Sequence, residues 1–252
     1  MDALIASHKP AARRLPAVPS DTPVPLAQPQ RWICATPESL VAPFSRVVVV
    51  APHPDDEVLV LGGTVAQLAR RGHEVRVYAV TDGEASHPGS TVWPPERLRH
   101  TRPQESADAL AQLGIAATVV RLRLPDGGVA AQERALAAKL QLAPGDTVFV
   151  PWRHDGHPDH EACARAALAA ARNAGACCIE YPVWALVPEH AAHARLRHQV
   201  LHRIAVADDF VQAKARAVRA FQSQIEPDGS VAPVLPPSAL RAWSGPFEWT
   251  MA

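Results

Sequence analysis

No apolar run in this chain approaches the roughly 18–20 residues that cross a bilayer, so no transmembrane segment is expected. The first residues, MDALIASHKPAARRLPAVPS, lack the positive-then-apolar order of a secretory signal, and the expected location is cytoplasmic. Net charge is lacking too: 25 Lys and Arg balance 25 Asp and Glu, which leaves no general pull toward nucleic acid or anionic lipid. Cysteine is scarce. Cys34, Cys163, Cys177 and Cys178 match neither a zinc-ribbon spacing nor a disulfide framework, so reduced thiols are expected. Internal repeats are also missing.

What is abundant is proline, 25 of 252 residues against a usual fraction of about 5%. Eight prolines fall before residue 44, where they prevent a helix and leave no strand alternation. Residues 1–44 are therefore expected to be a proline-rich arm, disordered or draped over the surface to about residue 30. The remainder, RWICATPESLVAPF, is placed to dock through Trp32. Residues 45–252 are expected to form one domain.

From Ser45 the pattern is regular. RVVVVA is a continuous β-branched run of the kind covered on both faces. EVLVLGGTVAQLARRG reads as one helix, and EVRVYAVT as the next strand. A helix over about 96–113, the strand ATVVRLRL, the helix AAQERALAAKLQL and the strand DTVFVP follow. The helix HEACARAALAAARNAG, the strand CCIEYPVW and the helix DDFVQAKARAVRAFQSQ complete the series. Such alternation predicts an α/β fold: a Rossmann-like three-layer sandwich with a mostly parallel sheet. Ligands of such sheets bind beyond the carboxyl ends of the strands, where the strand order reverses.

The first of these strands runs straight into His53, Asp55, Asp56 and Glu57. Carboxylates beside an apolar core are costly unless something positive compensates them. A second loop of similar composition, PWRHDGHPDHEA, follows the strand TVFV and adds His154, Asp155, His157, Asp159 and His160. Two strand-end loops of one parallel sheet can meet in one crevice. Catalytic zinc typically takes three His and carboxylate ligands and keeps one open place, whereas calcium and magnesium prefer oxygen alone. His53 and Asp56 can face one point across a tight turn, with Asp55 beside it and His157 or His160 as the third ligand. The bland alternative is a surface turn and an Asp159 helix cap. The coincidence of both loops on matching strand ends favours a metal.

APHPDDE and HPDH resemble the two signatures of the PIG-L, or LmbE-like, zinc-dependent deacetylases. TDGEAS, RPQESADALAQLG, LPDGGV and KARAVRAFQSQ resemble further family segments in family order, over roughly residues 45–225. The resemblance implies zinc, or ferrous iron, held by His53, Asp56 and His160. It implies Asp55 as general base toward the attacking water. His157 would stabilise the oxyanion or protonate the leaving amine, with Asp159 holding its ring. It also places Glu84, Arg102 and Asp126 near substrate hydroxyls or phosphate. Their ordinary alternatives are a loop acid, an arginine paired with Glu105, and a turn aspartate. Trp93, Trp152 and Trp184 could stack on a sugar, although core packing is the commoner use. Gly62 and Gly63 are read as allowing close packing of the first helix.

The pattern departs from some relatives at one position, where Asp155 stands in place of a tyrosine that assists the oxyanion. The expected function is zinc-dependent removal of an N-acyl group, most simply acetyl, from an amino-sugar glycoside, glycolipid or glycosylated metabolite. The partner is then a small amino-sugar substrate, and the sequence leaves the oligomeric state open. Rivals are an amidase for larger acyl or thiol-conjugate amides, an idle sugar-binding relative, and a metallo-phosphoesterase.

Overall fold

The structure, a computed structural model, describes residues 31–252; the arm expected over residues 1–30 lies outside them. Residues 31–44 are folded. They form strand β1 (Arg31–Ala35) and the short helix α1 (Pro37–Leu40), capped by Thr36. Strand β2 (Val47–Ala51) leads into helices α2 (Asp56–Leu59) and α3 (Gly62–Arg70), then β3 (Val75–Thr81) and α4 (Pro95–Gln112). After them come β4 (Ala117–Leu124), α5 (Glu133–Lys139), β5 (Thr147–Pro151), α6 (Pro158–Ala174) and β6 (Cys177–Tyr181). The last part holds β7 (Val200–Ala205), α7 (Asp208–Val218), α8 (Gln222–Ile225), α9 (Pro237–Trp243) and β8 (Phe247–Met251). No helix among the described residues is long and apolar enough to cross a membrane.

The five-stranded sheet has the order β4-β3-β2-β5-β6 and is parallel throughout. Every residue of β2 is buried because the strand is central and covered on both faces. Alternation assigns the two faces. Val47 and Val49 pack into one core layer with Leu68 of α3, Leu110 of α4 and Phe210 of α7. Val48 and Val50 pack into the other with Leu136 of α5 and Ala166 of α6. This is the expected three-layer α/β sandwich. Strand order reverses between β2 and β5, which pair directly (Val47 with Thr147, Val49 with Phe149). The loops leaving these two strands carry the two His/Asp clusters, so both open into the same crevice.

A second sheet, β1-β7-β8, was not expected. Its strand β1 runs parallel to β7 and holds the Trp32 ring edge-on to Trp249 of β8, 6.2 Å between centroids. The β8 strand hides from a hydrophobicity pattern because its polar residues face inward. Glu248 and Thr250 are buried, while Phe247, Trp249 and Met251 are half-exposed.

Glu248 also explains why the expected helix over 57–72 is two helices. Its carboxylate accepts the N–H groups of Gly63 (2.9 Å) and Thr64 (2.6 Å), capping α3 from outside. Lys214 donates to that carboxylate (2.6 Å) and to the Val60 carbonyl (3.4 Å) on the other side of the break. Gly63 is needed there, since a Cβ would come within 2.6 Å of Val206. The close approach is thus to the segment after β7. The expected helix over 208–224 likewise divides into α7 and α8.

Candidate metal centre

The turn after β2 places His53, Asp55, Asp56 and Glu57 in series, and the loop between β5 and α6 brings Asp155, His157, Asp159 and His160 to them. Three donor atoms form a near-equilateral triangle. His53 Nδ1 is 3.4 Å from Asp56 Oδ2, His160 Nε2 is 3.4 Å from the same oxygen, and the two nitrogens are 3.3 Å apart. Tetrahedral coordination at about 2.0–2.1 Å sets ligand atoms roughly 3.3–3.4 Å apart, so this donor set fits a divalent cation. Each donor is oriented by a further bond. Asp56 accepts the His53 backbone N–H (3.0 Å), and His53 Nε2 meets Asp126 Oδ1 at 3.2 Å. His160 Nδ1 meets Asp155 Oδ2 at 2.9 Å, which turns its Nε2 lone pair toward the triangle.

The charge balance points the same way. Asp55, Asp56, Asp126, Asp155 and Asp159 are all buried or nearly so, with Arg102 the guanidinium among them. Burial works against the Asp56 carboxylate, but His160 and His53 outweigh it and hold its pKa below the ordinary value. Burial likewise opposes charge on His53, yet Asp126, Asp159 and Asp56 raise its pKa well above that of a free imidazole. For Asp126 the His53 contact overcomes burial and brings the pKa down to about 2. A buried surplus of acid is what a cation would neutralise.

Asp55 lies beside the triangle. Burial pushes its pKa up to about 6 against the pull of Arg102, whose Nη2 donates to Asp55 Oδ2 at 2.9 Å. The same guanidinium donates to the carbonyls of Gly83 (2.9 Å) and Pro54 (3.3 Å). Gly83 has φ 68°, and a Cβ there would lie 2.1 Å from Arg102 Nη1, so the guanidinium fits only against glycine. Glu57 is the brace of the motif. It accepts the Asp55 N–H (3.1 Å) and the Ser106 hydroxyl of α4, and burial raises its pKa to about 7.

His157 caps α6, with its Nδ1 accepting the Asp159 N–H at 3.2 Å, which leaves the proton of the neutral ring on Nε2. Its ring centroid lies 4.9 Å from that of His53 and 4.7 Å from that of His160. Burial and these two rings lower its pKa to about 4. The Asp159 carboxylate is not on the His157 ring as expected. It accepts the N–H groups of Gly127 (2.7 Å) and Val129 (3.1 Å), and Asp159 Oδ2 lies 3.6 Å from His53 Nε2.

The expected substrate contacts separate. Asp126 and Arg102 line the cavity above the triangle, whereas Glu84 stands behind Asp126, with Oε1 3.5 Å from its N–H. Arg102 does not pair with Glu105, which instead accepts the N–H and hydroxyl of Ser223. Of the three tryptophans considered, only Trp184 lines the cavity; Trp93 lies under Arg97 (4.0 Å) and Trp152 is in the core. Trp243, Leu235, Gln224 and Ser86 line it too and were not expected. The KARAVRAFQSQ segment was the available signal for Gln224. Asp155 was singled out only as a departure. Besides His160 it accepts the N–H groups of Val183 (2.8 Å), Trp184 (3.1 Å) and Ala185 (3.1 Å).

Residues 48–171 match the sequence model of PIG-L, described as GlcNAc-PI de-N-acetylase. The 1D-myo-inositol 2-acetamido-2-deoxy-alpha-D-glucopyranoside deacetylase of Mycolicibacterium gilvum is 33% identical over 142 residues, 46% of this chain and 50% of that one. The chain thus spans about half the length of the curated relatives it matches. Among solved structures, the A40926 pseudoaglycone deacetylase superposes with TM-score 0.60 at 24% identity, covering 82% of this chain and 96% of that one. The N,N'-diacetylchitobiose deacetylase of Pyrococcus horikoshii superposes with TM-score 0.50 at 20% identity, covering 71% and 70%. These two likenesses establish the shared fold. Both signatures lie inside residues 48–171, and over those residues the chain matches the PIG-L family.

Proposed function

We propose that this chain is a zinc-dependent N-deacetylase acting on an amino-sugar derivative. The observation that carries the reading is the His53–Asp56–His160 triangle at tetrahedral spacing with the Asp55 carboxylate beside it. The relatives' names, which specify removal of acetyl from glucosamine nitrogen, support the reaction class. Ferrous iron would suit the same donors.

When bound, the ion supplies Lewis-acid polarisation of the amide carbonyl and acidifies a water ligand. The protein does the rest. Asp55 takes the proton of the attacking water, held in place by Arg102 and by the Glu57 contact to its backbone. His157 would present its Nε2–H to the oxygen on which charge develops, and the proton taken up by Asp55 would pass to the leaving nitrogen. Asp159, bonded to Gly127 and Val129, fixes the loop after β4 against α6 and keeps negative charge near His53. Asp126 orients the His53 ring and faces the cavity, where it can also meet a sugar hydroxyl.

The test is release of primary amine from N-acetylglucosaminides, including the inositol glycoside, by zinc-loaded protein. Asp55→Ala should retain zinc and lose activity by about 10²–10⁴-fold. Retention of activity in that variant would remove Asp55 as base. Failure to cleave any N-acyl amino sugar would sink the reading.

A further inference from the structure

A chain of hydrogen bonds runs to the cavity from a buried acid that the chemistry above does not use. Glu105 of α4 is buried and is not among the residues that line the cavity. Both of its oxygens accept from one residue of α8: Oε1 takes the Ser223 N–H at 2.7 Å, and Oε2 takes the Ser223 hydroxyl at 2.6 Å. Ser223 Oγ in turn accepts from Gln224 Nε2 at 2.8 Å, and the same nitrogen lies 3.5 Å from Ser86 Oγ. Gln224 and Ser86 both line the cavity.

The order of donors and acceptors along this chain is set at the Glu105 end. A carboxylate has lone pairs and no proton, so the Ser223 hydroxyl must donate its single proton to Oε2. What Ser223 Oγ has left is acceptor capacity. The Gln224 side chain therefore turns its NH2 group to Ser223, which is how the two ends of a buried amide are told apart. Its carbonyl oxygen, Oε1, is then the end without a partner among the described residues. Glu105→Gln would reverse this order without removing a bond. The Ser223 N–H would keep the amide oxygen, and the new NH2 would face Ser223 Oγ. The Ser223 hydroxyl would then donate to the Gln224 oxygen, and the Gln224 NH2 would take the opposite side.

We propose that Glu105 is a positioning residue: acting through Ser223, it holds the Gln224 amide with its oxygen toward the cavity, so that this wall accepts a hydrogen bond from a sugar hydroxyl of the ligand. Glu105 itself touches no ligand. The inference deepens the amino-sugar reading and rests on it for the identity of the ligand. Were Glu105 only a cap for α8, glutamine would serve nearly as well and ligand preference would not move.

Calorimetric titration of zinc-loaded protein tests it, with methyl β-D-glucosaminide and its deoxyfluoro analogues, one ring hydroxyl replaced at a time. None of these ligands has an amide to cleave, and fluorine nearly keeps the size of a hydroxyl but cannot donate. Burial raises the Glu105 pKa, so the titrations are run at about pH 8, where the carboxyl is ionised. In the parent, at least one analogue should bind about tenfold or more weaker than the hydroxyl ligand, and Glu105→Gln should bring that ratio below about threefold. Ser223→Ala, which cuts the chain at its next link, should bring it down as well. Neutron diffraction from ligand-free crystals should place the Gln224 NH2 toward Ser223 in the parent and toward the cavity in Glu105→Gln. Parent ratios all below about threefold, or a ratio unchanged in both variants, would overturn the proposal, as would an unmoved Gln224 amide. The expected amide reversal in a protein that binds no glucosaminide would keep the positioning role and remove the amino-sugar reading.

Discussion

Replacing Asp155 by asparagine tests how far one buried carboxylate supports the metal centre. Its Oδ1 accepts from Val183 and Ala185, and its Oδ2 accepts from Trp184 and from His160 Nδ1. All four partners are donors, and the side chain is fully buried. An amide has one oxygen and one NH2 group. Whichever way it turns, the NH2 faces two N–H groups and leaves them without an acceptor. At about 1–3 kcal/mol for each buried unsatisfied donor, Asp155→Asn should cost about 2–6 kcal/mol of stability. For a chain of this size that is a Tm lower by roughly 4–24 °C. Loss of the carboxylate behind His160 should also weaken zinc binding by about 10–100-fold. Competition against a chromophoric chelator reads the affinity, and scanning calorimetry of the zinc-free protein reads the stability separately. Parent-like zinc affinity together with a Tm within about 2 °C of the parent would refute the reasoning.

Two further outcomes follow from the same kind of accounting. Glu248→Ala strands the Lys214 ammonium and two α3 amides in the interior, which should cost about 3–5 kcal/mol. Glu248→Met with Lys214→Met should recover part of that loss in a denaturation series; an additive double variant would mean that the pair is not coupled. Thiol titration with a disulfide reagent should label Cys34 and Cys177 quickly, because both are exposed. Cys163 is fully buried, with its pKa raised well above the usual thiol value by that burial, and should react only on unfolding. Cys178, pushed by burial up to about 12, should be slow as well; equal rates for all four would contradict this packing.

The central sheet was legible because its strands are buried on both faces. VVVVA and VFV have no polar residue to confuse a hydrophobicity pattern, and each is followed by a turn and a helix. The second sheet was illegible for the opposite reason. In β8 the residues that enter the interior are Glu248 and Thr250, and the burial of Glu248 depends on Lys214 and on the α3 amides, both distant in sequence. The same long-range bond hid the break between α2 and α3. No local propensity in EVLVLGGTVAQL says that a carboxylate from residue 248 will take up the free amides.

At the site, residue type and spacing grouped His53 and Asp56 and left His157 or His160 as the third member, and only the family resemblance chose His160; a turn of three residues and a helix start each restrict where these side chains point. They did not reveal which acids stand behind the donors. Asp126, expected against substrate, touches His53, and Arg102, expected likewise, secures Asp55. Asp159 was expected on His157 and reaches across to Gly127 and Val129 instead. In each case the deciding partner lies on a different loop, so the assignment depends on how strands β2, β4 and β5 align and not on the motif itself. That dependence accounts for the density of acid at the strand ends. In the proposed reading Asp56 is a metal donor and Asp55 the base, while Glu57 accepts the Asp55 backbone N–H with the Ser106 hydroxyl on its other oxygen. One short motif would then combine ligation, proton transfer and support, with Arg102 and Ser106 on α4 and the cation it would hold compensating charge that the valine core would otherwise expel.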